Sequence, residues 1–184
     1  MKWNELPGDV VWLPIAALTS RLGFVDAARI FRVLAAEAPV VLYRPKAAER
    51  VLAHAESRSV ELGGLLVGKV FSDPAGGRVA AIEICEAVPS EQFDSTAVSL
   101  SMGSEVWQQA AAYRKDDLHV VGWYHTHPGL GAFFSGTDRS TQRGFFREPY
   151  SLGLVLDPIR NQEAWFIGPE SEPVSSPQIA RTQT

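Results

Sequence analysis

The chain is short of several things, and each shortage narrows what it can be. A single cysteine, Cys85, stands among 184 residues, so no internal disulfide framework braces the fold. No apolar run is long enough to cross a bilayer; the longest near the start, Val10 to Leu18, is interrupted by Pro14. Glu5 and Asp9 stand where a secretory signal would carry basic residues. Together these features lead to the expectation of a cytoplasmic protein. Lys and Arg number 17 against 21 Asp and Glu, a formal net charge of -4, which gives neither nucleic acid nor an anionic membrane an electrostatic foothold. Internal repeats and low-complexity blocks are missing too. What remains is an ordinary globular composition, 46% apolar and 21% charged, in a chain long enough for one substantial core.

Patterning divides the chain into three. Residues 1–38 read as an N-terminal extension whose Phe24, Ala27, Ala28, Ile30, Phe31, Val33 and Leu34 recur at helical spacing. Residues 39–168 read as the folded domain. Val40 to Tyr43 is a short strand, and Pro45 opens a helix with Ala48, Val51, Leu52 and Ala55 as its apolar stripe. Val60 to Val70 reads as a buried strand whose Gly63, Gly64 and Gly68 imply close approach by a neighbour. Gly76-Gly77 turns the chain into a second strand, Arg78 to Ala87, followed by loop from Val88 to Asp94. Further strands are expected at Ala97 to Met102, Leu118 to His125, Ser151 to Leu156 and Ala164 to Ile167. Helices are expected over Gly103 to Lys115 and from Ser135. Residues 169–184, rich in Pro, Ser, Glu and Gln, read as a disordered tail. The expected fold class is mixed α/β, a central sheet flanked by helices.

The chemistry concentrates in Gly122 to Asp138, GWYHTHPGLGAFFSGTD. His125 and His127 are two apart at a strand end, so their side chains leave the same face, roughly 7 Å apart at the backbone. Asp138 falls in the first turn of the next helix, where its carboxylate can complete a His-His-Asp set. Three protein ligands with a fourth position left for water is the pattern of a catalytic rather than a structural zinc. Each part alone has a plain structural reading. A histidine at a strand end is usually a surface or satisfied core residue, and Ser135-x-x-Asp138 is by itself a variant helix capping box. His54 and His119 are read as structural or solvent-facing, Cys85 as a small buried hydrophobe, and Trp107, Trp123 and Trp165 as core. Asp157-Pro158 reads as a strand end and turn. The conjunction of both histidines, the serine and the aspartate at these spacings arises by accident in on the order of one chain in several thousand.

His125-Thr126-His127-Pro128 followed by Ser135 and Asp138 resembles the JAMM signature of MPN+ (Mov34/JAB domain) zinc metalloproteases. The wider run VVGWYHTHPGLGAFFSGTDRSTQ, continued in EPYSLGLVLDP, is similar to the active isopeptidases of the proteasome lid and the COP9 signalosome, and to bacterial deubiquitinase-like JAMM proteins. The likeness spans about Val40 to Gly168. It implies a cytidine-deaminase-like MPN domain holding one Zn2+ per chain through His125, His127 and Asp138. Glu61, in ELGGLLVG, stands where the family carries its general base, and Ser135 where the family carries its oxyanion donor. Two departures, Phe133 in place of a tryptophan and Ala132 in place of a cysteine, touch loop packing and no ligand.

The resemblance also implies substrate and partners. A zinc isopeptidase of this kind cleaves after the C-terminal glycine of a ubiquitin-like protein, in deconjugation or precursor processing, with E1-like and E2-like proteins as associated partners. In relatives the glycine-ending tail lies beside an edge strand, a β-augmentation mode, here expected along Ala97 to Met102. Val98, Leu100, Phe133 and Phe134 are thus the expected substrate contacts. The family's insertions correspond to Pro89 to Gly103 and Gly144 to Tyr150. The alternatives are processing of a sulfur-carrier protein and a non-catalytic MPN scaffold.

Overall fold

A computed structural model describes residues 10–35, 38–56, 60–91, 93–96 and 99–181. The chain opens with β1 (Leu13–Pro14), α1 (Ile15–Thr19) and α2 (Phe24–Leu34), then β2 (Val40–Tyr43) and α3 (Pro45–Ala55). The long strands β3 (Gly63–Ser72) and β4 (Val79–Pro89) lead into β5 (Phe93–Thr96), β6 (Ser99–Met102) and α4 (Ser104–Ala111). β7 (His119–Thr126), α5 (Gly136–Phe145), β8 (Leu152–Asp157), β9 (Gln162–Ile167), β10 (Glu172–Val174) and β11 (Ile179–Arg181) complete it, with 3-10 turns at Ala112–Asp116 and Ser176–Gln178. No described helix is long and apolar enough to cross a membrane.

The fold is mixed α/β, as expected. Nine strands form one sheet in the order β10-β9-β8-β7-β3-β4-β2-β11, with β1 beside the far end of β3. β7–β8, β2–β4, β2–β11 and β1–β3 pair in parallel, and the other neighbours are antiparallel. β3 at the centre is nearly all buried because helices cover both faces, which is why its sequence is a continuous apolar run without alternation. One face packs Leu66, Val70, Ile82, Tyr124 and Leu154 with Val51 of α3. The other packs Leu65, Val67, Trp123, Phe134 and Val155 with Val106 and Ala110 of α4. The glycines of β3 do mark close approach: a Cβ on Gly64 or Gly68 would land on the backbone carbonyl of Val88 or Glu83.

Several boundaries differ from the pattern-based expectation. β3 starts at Gly63, leaving Glu61 just ahead of it, and β4 runs on to Pro89. β5 and β6 form a separate antiparallel hairpin. α3 buries Ala47, Val51 and Ala55 while Leu52 is exposed, the i, i+4, i+8 stripe set by a helix lying flat on a sheet. Trp107 is partly buried and stacks on Phe146 at 6.0 Å. The tail expected to be disordered from residue 169 instead adds β10 to one sheet edge and β11 to the other. Val174 and Ala180 are buried there, and three residues of backbone pairing on an existing edge outweigh the polar composition between them.

The N-terminal extension covers the sheet. Ile15, Leu18 and Ile30 pack on Val40, Leu42, Phe71 and Ala81, and Arg21 reaches the buried Glu83 carboxylate at 3.2 Å, which Arg44 also grips at 2.7 Å. On α2 the expected stripe is split, since Ile30 points inward while Phe24 and Phe31 are exposed.

Candidate metal centre

Three elements converge at one end of β7. Alternation along the strand puts Trp123 and His125 on one face and Tyr124 on the other, where Tyr124 Oη meets His54 Nδ1 at 2.8 Å. Trp123 stacks flat on His125, centroids 4.6 Å apart and planes 8° from parallel. Phe134 closes the other side, stacked on Phe166 at 4.0 Å. The His125 imidazole is thus held by aromatic rings on two sides, and is fully buried.

Past β7, His127 N–H donates to Leu156 O of β8 at 2.8 Å, so the second histidine is still pinned to the sheet although the strand has ended. The two Nε2 atoms lie 3.0 Å apart. α5 then brings in the third group. Its N-cap Ser135 and Asp138 form a reciprocal capping box, Asp138 N–H donating to Ser135 Oγ at 3.2 Å and Ser135 N–H to Asp138 Oδ2 at 2.6 Å. The cap bond orients the Asp138 carboxylate, whose Oδ1 stands 3.1 Å from His125 Nε2 and whose Oδ2 stands 3.7 Å from His127 Nε2. Tetrahedral zinc with bonds of about 2.0–2.1 Å needs donor atoms about 3.3 Å apart, close to the 3.0 Å between the two Nε2 atoms and the 3.1 Å from His125 Nε2 to Asp138 Oδ1. His125, His127 and Asp138 are all buried and form the single group of three His, Cys, Asp or Glu side chains among the described residues that could hold a metal ion.

The electrostatics suit a cation. Burial and the neighbouring His125 push His127 below its ordinary pKa, with Asp138, Glu61 and the Gly131 backbone opposing. A neutral imidazole is the form that binds metal. Burial works against ionisation of Asp138, yet the hydrogen bond and charge of His125 and the bonds from Ser135 hold its carboxyl at about 2. Nδ1 of each histidine is buried with no hydrogen bond of good geometry.

Glu61 is half-buried and sits across the strand end from the histidines. Leu62 pairs with Thr126 in both directions, Thr126 N–H to Leu62 O at 2.8 Å and Leu62 N–H to Thr126 Oγ1 at 2.9 Å, and Gly63 is in register with His125. The Glu61 carboxylate is near enough for its charge to act on His127. Phe133 is 48% exposed, its ring 5.1 Å from that of His127. Phe134, expected to touch substrate, is corrected to a core residue: at 6% exposure it walls His125 from within. Leu100 lies on β6, whose hairpin sits against α5; Val98 lies outside the described residues.

Of two further residues that matter here, Gln142 was not singled out by pattern and Asp157 was read only as a strand end and turn, which it is. Gln142, one turn beyond Asp138 and fully buried, accepts from Trp123 Nε1 at 2.6 Å and donates to Ser151 O at 2.9 Å and Gly168 O at 3.2 Å, tying α5 to β7 and β8. The i+4 spacing from Asp138 was the available signal. Asp157 gathers backbone N–H groups from the loop after His127; an Asp-Pro pair looks the same whether or not it does so.

Residues 44–167 match the family described as prokaryotic homologs of the JAB domain. Among curated proteins, COP9 signalosome complex subunit 5a of Arabidopsis thaliana is 29% identical over 151 residues, 73% of this chain and 40% of that protein. COP9 signalosome complex subunit 5 of Kluyveromyces lactis is 32% identical over 120 residues, 62% of this chain and 30% of that protein. The chain therefore spans well under two thirds of the length of these relatives. The solution structure of protein DSY2949 from Desulfitobacterium hafniense superposes with a TM-score of 0.59 at 20% identity, covering 79% of this chain and 94% of that one, a likeness of fold.

Proposed function

This chain belongs to the JAB/MPN family, in its prokaryotic branch, and from that premise we propose that it is a zinc-dependent isopeptidase or peptidase cutting after the C-terminal glycine of a ubiquitin-like protein. The observation that carries the reading is the convergence of His125 Nε2, His127 Nε2 and Asp138 Oδ1 within 3.0–3.1 Å steps, all three residues buried, with the Glu61 charge acting on His127.

Zinc, which His125, His127 and Asp138 would hold, would supply the Lewis acidity that makes water a nucleophile near neutral pH. Every remaining step belongs to the chain. Glu61 takes the proton at its carboxylate and returns it to the leaving amine. Ser135 Oγ already accepts from Asp138 N–H, so its own hydrogen is the one to donate to the developing oxyanion. Loss of such a donor costs on the order of a hundredfold in rate. The β5–β6 hairpin lies against the helix carrying Ser135 and Asp138, and the outer edge of β6 has no strand partner among the described residues. An extended tail adding to that edge would end at the metal, with the exposed Phe133 ring over it.

Glu61→Gln tests the reading. Hydrolysis of ubiquitin-like protein conjugates or C-terminal fusions should fall by about 10²–10⁴-fold while zinc content stays at the wild-type value. Unchanged hydrolysis in the variant would remove Glu61 from the mechanism. Conjugate binding without hydrolysis by zinc-loaded wild type would favour the scaffold reading.

A further inference from the structure

We propose that Asp157 is a positioning residue of the metal centre: it holds the loop Pro128–Gly131 against His127 and so sets where that imidazole points. This rests on the metal-centre reading above. Asp157 ends β8 and is 1% exposed. Its Oδ1 accepts from Ile159 N–H at 2.9 Å and Arg160 N–H at 3.1 Å. Those two bonds are all that an aspartate closing its own turn needs. Oδ1 also accepts from Gly129 N–H at 2.9 Å, and Oδ2 from Gly131 N–H at 2.7 Å. These two donors come from 28 and 26 positions earlier in the chain, from the loop that His127 begins.

The loop is shaped to make both bonds. Gly129 and Gly131 have φ of +78° and +96°, conformations that L side chains rarely adopt, and alternate N–H groups are thereby turned toward one carboxylate. The grip reaches His127 from two sides. Leu156, adjacent to Asp157, accepts the His127 N–H, and Leu130 N–H donates back to His127 O at 3.1 Å. Gly131, held by Oδ2, directly follows Leu130, the residue bonded back to His127. The carboxylate therefore positions His127 through the backbone of the intervening loop, a longer-range variant of the carboxylate–histidine arrangement found around metal sites. The exposed Arg160 side chain, its Nε 3.6 Å from Oδ2, completes the surroundings of that oxygen.

Asp157→Asn isolates this role. With the amide oxygen kept toward Gly129, Ile159 and Arg160, the NH2 faces Gly131 N–H, so the turn survives and only the Gly131 peptide is released. Gly131→Ala reaches the same peptide without touching the carboxylate. Its Cβ would meet nothing closer than Arg160 Nη1 at 3.5 Å, so only the backbone conformation is strained. The test is Co2+ titration of full-length wild type and both variants, with absorption spectra and chelator competition for zinc, alongside the circular dichroism of each metal-free protein. The expected result is affinity lower by about 10–100-fold and a changed cobalt d–d band in both variants, with native circular dichroism. Wild-type affinity and an unchanged band in a folded Asp157→Asn protein would overturn the proposal. If that variant does not fold, wild-type affinity in Gly131→Ala overturns it instead. No cobalt or zinc binding by wild type itself would overturn the metal-centre reading, a separate failure.

Discussion

Gln142→Leu probes how the metal centre is anchored, and the cost follows from the bonds around the side chain. Leucine nearly conserves volume, so no large cavity opens. Three hydrogen bonds disappear, but their partners fare differently. Ser151 O keeps a bond from Gly168 N–H, and Gly168 O keeps one from Ser171 N–H, so each carbonyl loses only a second bond, about 0.5–1 kcal/mol apiece. Trp123 Nε1 loses its acceptor, Gln142 Oε1, inside a fully buried ring, a cost of about 1–3 kcal/mol for the orphaned donor. The sum is about 2–5 kcal/mol. For a domain of this size it lowers Tm by roughly 5–15 °C, readable in urea and thermal unfolding of the metal-free protein. Because Gln142 ties α5 to Trp123, and Trp123 stacks on His125, zinc affinity should fall with it. A destabilisation below about 0.5 kcal/mol, or wild-type zinc affinity in a folded variant, would refute the claim that this glutamine holds Asp138 in register with the histidines.

Other perturbations separate the parts of the account. Arg44→Ala strips the better buried of the two cations on Glu83, which is 2% exposed, and should cost about 3–5 kcal/mol by leaving a buried carboxylate undercompensated. Arg21→Ala, at a half-exposed side chain, should cost about 1 kcal/mol or less; equal effects in denaturant titrations would contradict this ranking. In the metal-free protein Asp138 and Asp157 both titrate at about 2, below the ordinary 3.8. Their stabilisation is therefore complete above about pH 4 and is lost as pH falls toward 2. Unfolding measured across that window should show stability declining with acid in wild type and a shallower decline in Asp157→Asn. Phe133→Ala, at an exposed ring, should leave Tm within about 1–2 °C of wild type and raise KM for conjugates more than it lowers kcat; a large loss of stability would place the ring in the core instead.

The strands and helices of the central domain were legible because apolar periodicity and Gly/Pro punctuation are local signals. The two histidines were legible for the same reason: spacing of two at a strand end can only send both side chains one way, and their Nε2 atoms do meet. Order in the tail was hidden because β10 is only three residues added to the edge of β9, and β11 is held by a strand far away in sequence, pairing with Val41 to Tyr43. Phe134 was misread because adjacent aromatics on a loop give no clue to which turns inward; the answer depends on Phe166 and Gly153 of neighbouring strands. Asp157 and Gln142 are polar residues whose partners are mostly backbone groups, and backbone leaves no mark in sequence. Apart from β10, what was missed is in each case a contact between residues distant in sequence.

The most direct test of the central claim is the zinc-to-protein ratio of purified wild type and Asp138→Ala by elemental mass spectrometry. A carboxylate that both caps α5 and stands 3.1 Å from His125 Nε2 should be indispensable to the metal. About one zinc per chain in wild type and next to none in a folded Asp138→Ala protein is the predicted result. A folded wild type that takes up no zinc even when metal is supplied would contradict it.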